Sequence, residues 1–198
     1  AASDVYKRQV PYKEKILPYL DALSETARSI QAVNTICFCR RSGKLVLTGH
    51  NTDVTGFERS LREHLRDHHA RALVLGTGGS SKAVVRVLEK LGIAFLQVSR
   101  SRGAERVTYE DLTAAIMKDH PLVINTTPLG MYPDLESCPP IPYETITGDH
   151  LLFDLVYNPA KTRFLMRGEQ KRASIVNGYD MLVSVSYTHL RAHETKAN

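Results

Sequence analysis

The segment that most restricts the fold is Leu73-Val74-Leu75-Gly76-Thr77-Gly78-Gly79-Ser80-Ser81-Lys82-Ala83, an apolar strand-like run that enters a glycine turn and leaves as a helix. Glycines at 76, 78 and 79 permit a tight turn and let a charged group approach the backbone. A pyrophosphate placed there meets the N–H groups at a helix N-terminus. An ordinary strand-to-helix turn reads the same way locally, so the surroundings must decide. A Walker loop is disfavoured, because Ser81 rather than Gly precedes Lys82.

The surroundings favour a nucleotide fold. Short β-rich runs at Ala72 to Leu75, Ala94 to Ser99, Leu122 to Asn125, Leu151 to Val156 and Ser174 to Val176 alternate with helix-favouring stretches. Those stretches are Ser80 to Leu91, Tyr109 to Asp119 and Lys161 to Lys171. This rhythm predicts an α/β unit with a parallel sheet covered by helices. The second strand ends in Ser99-Arg100-Ser101-Arg102, where a fold selecting NAD offers an acid to the ribose hydroxyls. Arginine there suits a 2′-phosphate, so the expected cofactor is NADP; a solvated basic loop is the bland alternative. The segment Thr126 to His150, rich in proline (Pro128, Pro133, Pro139, Pro140, Pro142), reads as a long loop at a site.

The first half differs. Val33 to Cys39 and Leu45 to Thr48 read as strands around Arg41-Ser42-Gly43-Lys44. Val54, Phe57, Leu61 and Leu65 recur at helical spacing and predict a helix bridging into the second half. A further helix is expected over Tyr12 to Leu20, interrupted at Pro18.

Composition excludes several classes. The chain has 198 residues, 42% of them hydrophobic and 24% charged, the balance of a globular protein. It shows no apolar run near the roughly 18 residues a membrane span requires, and no export signal is visible. The net charge of +5 lies in separate clusters without interleaved aromatics, and Trp is absent. That pattern fits a small phosphorylated partner better than nucleic acid. Cys37, Cys39 and Cys138 read as half-buried thiols of a cytoplasmic protein rather than a disulfide framework or zinc site. His64, His68 and His69 read as a solvated helix surface in preference to a metal site.

Four polar clusters remain: Val10-Pro11-Tyr12-Lys13, Ala32-Val33-Asn34-Thr35, Gly49-His50-Asn51-Thr52-Asp53 and Asn125-Thr126-Thr127-Pro128-Leu129-Gly130-Met131. Singly, Lys13 is a solvated lysine, Asn34 a strand-edge amide and Asp53 a helix cap. In this order they resemble the shikimate dehydrogenase family. The resemblance runs from about Val10 to Ser184 and takes in PYKEK (11–15), AVNT (32–35), NTDVTGF (51–57) and GTGGSSKA (76–83). It continues through NTTPLGM (125–131), FDLVYNPAKTRFL (153–165) and NGYDMLV (177–183).

The resemblance implies a Rossmann-like NADP-binding domain at 70–184 and a truncated α/β substrate domain at 1–69. It also implies reversible, NADP-dependent reduction of 3-dehydroshikimate to shikimate, a step toward chorismate and the aromatic amino acids. Lys13 and Asp53 are then the catalytic pair, with Asn34 and Tyr157 at the substrate. Gly76, Thr77, Gly78, Gly79, Ser80, Ser81, Ser99, Arg100, Asn125, Thr126, Thr127, Met131, Gly178 and Met181 surround NADP. The implied partner is a small molecule, neither nucleic acid nor membrane, and the protein is a monomer or homodimer. The residue types agree: an ammonium stabilises and protonates a developing alkoxide, a carboxylate holds the ammonium, and an amide pairs with a polyol. A quinate/shikimate dehydrogenase and a non-catalytic dinucleotide-binding module are the alternatives. Residues 1–9 and 185–198 depart from the family and read as foreign. Val185 stands at the family's glutamine, and the paired serines ahead of the lysine motif are missing, so cofactor binding is expected to outlast catalysis in the chain as it stands.

Overall fold

The computed structural model describes residues 4–7, 13–41, 43–103 and 106–183. The first half contains β1 (Asp4–Lys7), β2 (Ala22–Leu23), α1 (Glu25–Ile30), β3 (Thr35–Arg41), β4 (Lys44–His50) and α2 (Asp53–His64). β3 and β4 form an antiparallel hairpin turning through Gly43 at φ +80°, β1 pairs antiparallel with β3, and β2 pairs parallel with β4. The sheet order is β1-β3-β4-β2. The expected strand from Val33 begins two residues later, because the Val33 N–H goes to the Lys13 carbonyl at 2.8 Å. The helix expected over Tyr12 to Leu20 is reduced to a 3-10 turn at Leu17–Tyr19, with Tyr12 itself outside the described residues. Pro18 fits the first turn but removes the N–H that a longer helix requires.

The second half contains β5 (Arg71–Leu75), α3 (Gly79–Leu91), β6 (Ala94–Ser99), β7 (Arg106–Thr108), α4 (Ala114–Asp119), β8 (Leu122–Asn125), β9 (Leu151–Asp154), α5 (Arg163–Gln170) and β10 (Ser174–Val176). All its strands pair in parallel, in the order β10-β9-β8-β5-β6-β7. The chain leaves β5 in one direction and resumes at β8 in the other. The carboxyl ends of β5 and β8 therefore flank the crevice where ligands of such sheets bind. The expected helix Tyr109 to Asp119 divides into a 3-10 turn at Tyr109–Asp111 and α4. Two caps compete: the Asp111 carboxylate closes on the Thr108 N–H and hydroxyl, and Thr113 starts a new helix on the Ile116 N–H. β7, three residues at the sheet edge, is too short to read from sequence.

Burial follows the strand alternation. Val74, Ile124 and Phe153 face Phe57 and Leu61 of α2 and Val84, Val87 and Leu88 of α3. Leu73, Leu75, Val123 and Leu152 face Met117, Phe164 and Leu165. α2 thus belongs to the first half in sequence and to the second sheet in packing. Phe57 meets Phe153 edge-on with ring centroids 5.0 Å apart. Glu58 of α2 takes Lys90 of α3 at 2.7 Å; that ammonium, and then Arg62, hold its carboxyl below the usual range against the opposing effect of burial.

Two expectations require correction. The proline-rich segment is only partly a site loop, since Ile141, Tyr143 and Ile146 are buried on the second face of the parallel sheet and cover it in place of a helix. The three histidines do not share a solvated helix surface: α2 ends at His64, and His69 is buried. His69 Nδ1 accepts from the Arg66 N–H at 3.1 Å, and its Nε2 lies 3.3 Å from the Asp149 carbonyl. Burial first, and then the charge of His68, push its pKa down. No helix of the described residues is long and apolar enough to cross a membrane.

Candidate active site

Lys13, Asn34 and Asp53 arrive from three separate places in the first half and converge. Lys13 precedes the first 3-10 turn, Asn34 enters β3, and Asp53 opens α2. Lys13 Nζ donates to Asp53 Oδ2 at 2.6 Å, and Asn34 Nδ2 donates to Asp53 Oδ1 at 2.7 Å. The cap reading of Asp53 fails because Thr52 is the N-cap and the carboxylate faces these two donors instead. The Asp53 N–H is itself held by Asn51 Oδ1 at 3.0 Å, and Asn34 Oδ1 accepts from the Thr52 N–H at 3.0 Å. The side chains of Lys13 and Asp53 are each 12% exposed. Lys13 Nζ also donates to Ser80 Oγ at 3.2 Å, which sets the ammonium against the glycine turn of the other half.

Gly76 has φ +108°, and a Cβ there would lie 2.7 Å from Thr126 Oγ1 and 3.0 Å from Thr127 Cγ2. Both its conformation and its neighbours demand glycine. Gly78, the N-cap of α3, has nothing within 4 Å of where a Cβ would stand, so the turn presents an open backbone cradle beside the first N–H groups of a helix. Thr77 lies between these glycines. Ser81 Oγ turns back to the Gly78 carbonyl at 2.7 Å and stiffens the turn from beneath. Gly79 packs along the Lys13 stem, its Cβ position 3.5 Å from Lys13 Cβ.

At the end of β6, Ser99 Oγ accepts from the Ser101 N–H at 3.1 Å and donates to the Ser101 carbonyl, which fixes the basic loop. Arg102 is engaged by Asp111. Arg100 is exposed and has no acidic partner among the described residues. It lies close enough to Tyr109 to oppose the upward push of burial on that phenol.

The segment after β8 is held from below. Asn125 is wholly buried; its Nδ2 donates to Asp154 Oδ1 at 3.0 Å, and its Oδ1 accepts from the Thr127 N–H and hydroxyl at 3.0 and 2.6 Å. Asn125 thus acts on any ligand through the loop it shapes. Thr126 Oγ1 donates to the Leu75 carbonyl at 2.7 Å, joining this loop to the glycine turn. Met131, 47% exposed, and Tyr157, 39% exposed, stand at the surface, and Tyr157 makes no hydrogen bond to Lys13, Asn34 or Asp53. A Cβ on Gly178 would come within 2.2 Å of the Leu155 carbonyl, so that glycine seats the chain after β10. Met181 belongs to the core that contains Val54 and Phe57. Pro11, Ser184 and Val185 lie outside the described residues.

Asp154 and Thr162 were missed in the sequence. Asp154 is fully buried and accepts from Asn125 Nδ2, the Val156 N–H at 3.0 Å and Thr162 Oγ1 at 2.5 Å. Burial outweighs those donors and pushes its pKa up to about 6. The available signal was Leu151-Leu152-Phe153-Asp154: an acid ending a strand buried on both faces requires partners at the same level, and Asn125 is its register neighbour.

The profile described as the shikimate dehydrogenase substrate binding domain matches residues 9–36, which contain Lys13 and Asn34. Shikimate dehydrogenase (NADP(+)) of Salinibacter ruber is 40% identical over 194 residues, covering 87% of this chain and 67% of the relative. The chain belongs to the shikimate dehydrogenase family. The Halothermothrix orenii shikimate dehydrogenase is 37% identical over 195 residues, covering 88% of this chain and 66% of its own length. This chain therefore spans about two thirds of the length of the curated relatives it matches. Thermus thermophilus shikimate 5-dehydrogenase, solved in complex with NADP(H) and shikimate, superposes with a TM-score of 0.79 at 28% identity, over 95% of this chain and 72% of that one. Shikimate dehydrogenase membership accounts for the pairing of a mixed first sheet with a parallel second one.

Proposed function

We propose that this chain carries the catalytic core of an NADP-dependent shikimate dehydrogenase that interconverts 3-dehydroshikimate and shikimate. The observation that carries the reading is the 2.6 Å contact of Lys13 with an Asp53 whose other oxygen holds Asn34, all beside the glycine turn. The residues fit the cofactor: the open cradle at Gly76 to Gly79 accepts a pyrophosphate, Ser80 and Ser81 shape it, and Arg100 suits a 2′-phosphate. NADPH, when bound, supplies the hydride. Lys13 stabilises the negative charge that grows on the ketone oxygen and delivers a proton from Nζ to it. Asp53 holds that ammonium and presents an acceptor to a substrate hydroxyl, and Asn34, its amide engaged by Asp53 and Thr52, acts at the substrate by fixing that carboxylate.

The proposal divides the chain near residue 69 into a substrate unit and a cofactor unit, and places it in the cytoplasm as a monomer or homodimer. The two separate sheets support the division, and the free, half-buried thiols fit the cytoplasm. The test is loss of NADPH absorbance on addition of 3-dehydroshikimate, with quinate and NAD as the competing substrate and cofactor in reverse. Consumption that requires 3-dehydroshikimate and disappears in Lys13→Ala supports the reading. NADPH binding without any turnover assigns the chain to the non-catalytic alternative.

A further inference from the structure

Lys13 is held from two sides by different means. Its backbone is fixed to the first half, where its carbonyl accepts from the Val33 N–H at 2.8 Å, while its side chain crosses to α3 and reaches Ser80 at 3.2 Å. The next residue crosses as well: Glu14 Oε1 meets Lys82 Nζ at 2.8 Å. Gly79 lies between the two crossings, its Cβ position 3.5 Å from Lys13 Cβ and 3.9 Å from Glu14 Oε1.

The charges explain why this contact forms. Lys82 sits in the opening turns of α3, where a cation opposes the helix dipole, and the first turn of α3 contains no acid. Glu14 supplies the missing negative charge from the other half. At the far end of α3, Lys90 crosses to Glu58 of α2 in the same sense, so α3 is tied to the first half at both ends. Only the pair at the near end is adjacent to the reactive ammonium.

We propose that Glu14 and Lys82 are positioning residues, a latch across the seam that holds Lys13 over the glycine turn. This rests on Lys13 being the proton donor. The latch fixes the backbone from which the Lys13 side chain springs, so breaking it lets the ammonium leave Asp53 and Ser80 more often. Both members are partly exposed, Lys82 at 40% and Glu14 at 49%, which makes the effect modest and sensitive to salt.

The test compares four versions of this chain: wild type, Glu14→Gln, Lys82→Gln, and the reversed pair Glu14→Arg with Lys82→Glu. Each is treated with trace acetic anhydride, and acetylation of Lys13 is followed by peptide mass spectrometry, with exposed Lys15 as the internal reference. Lys13 is expected to label about two- to five-fold faster in both single variants and to return to the wild-type rate in the reversed pair. The difference between wild type and Glu14→Gln should fade at about 1 M salt. Equal labelling of Lys13 in all four proteins overturns the latch, and so does a reversed pair that labels as fast as the single variants. Turnover of 3-dehydroshikimate, measured alongside, should fall and recover with the labelling. Labelling that follows the expected pattern in proteins without any turnover upholds the latch and refutes the proposed activity.

Discussion

Asp154→Asn tests the buried network beneath the cofactor-side loop. Burial pushes the Asp154 carboxyl up from its ordinary value of 3.8 to about 6. A folded pKa raised in this way contributes stability that is full below 3.8 and is lost as pH rises through about 6. The whole effect corresponds to about 3 kcal/mol, of which about 1 kcal/mol falls between pH 8 and pH 5. The amide preserves the shape: its oxygen keeps Asn125 Nδ2 and the Val156 N–H, and its nitrogen faces Thr162 Oγ1, which turns from donor to acceptor. It does not titrate. His69 acts in the opposite sense, since its lowered pKa gives stability present above about 6.5 and lost as pH falls below that value. His69 is common to both proteins, so subtracting one profile from the other removes it. Urea unfolding at pH 5 and pH 8 should show wild type gaining about 1 kcal/mol relative to Asp154→Asn on going to pH 5, a relative midpoint shift of about 0.5 to 1 M. Parallel pH profiles for the two proteins would refute the assignment of a titrating carboxyl to this site.

Lys13→Ala should lower kcat by about 10² to 10⁴ while KM for 3-dehydroshikimate changes less, as steady-state kinetics will show; a change confined to KM removes the proton-donor role. Arg100→Ala should weaken NADPH about ten- to a hundredfold and NADH much less, measured by fluorescence titration, and equal losses would mean that the residue only supports its loop. Gly76→Ala should cost about 2 to 4 kcal/mol in denaturant unfolding, because a residue at φ +108° is strained and its Cβ displaces the Thr126 hydroxyl from the Leu75 carbonyl. Phe57→Ala should cost about 3 to 5 kcal/mol and loosen α2 from the parallel sheet, read as faster amide exchange in both elements.

The second half was legible because its physics is local. β6, β8 and β10 fall where their apolar runs predict, and β8, buried on both faces, shows the continuous apolar segment that a central parallel strand needs. The convergence of Lys13, Asn34 and Asp53 was legible only through the family's motif order, because nothing in their spacing brings a turn, a strand entry and a helix start together. What stayed hidden depends on tertiary contact. The cover formed by Ile141, Tyr143 and Ile146 has no helical period, so it reads as loop although the sheet face beneath it demands an apolar lid. His69 looks like its exposed neighbour His68 until Asp149, eighty residues away, supplies the carbonyl that makes burial tolerable.

The two halves solve one problem twice. In each, an asparagine turns its oxygen to the backbone N–H of a nearby threonine and its nitrogen to an aspartate: Asn34 to Thr52 and Asp53, Asn125 to Thr127 and Asp154. The difference lies at the second carboxylate oxygen. Asp53 Oδ2 faces the Lys13 ammonium, whereas Asp154 Oδ2 faces only the Thr162 hydroxyl in a fully buried site. Without a cation to offset desolvation, Asp154 is pushed toward its neutral form, and its network serves to hold backbone. The Asp53 network lies beside the glycine turn and holds a charge there, since Lys13 also donates to Ser80. The same short vocabulary of amide, hydroxyl and carboxylate therefore holds backbone where the cation is missing and holds an ammonium where it is present.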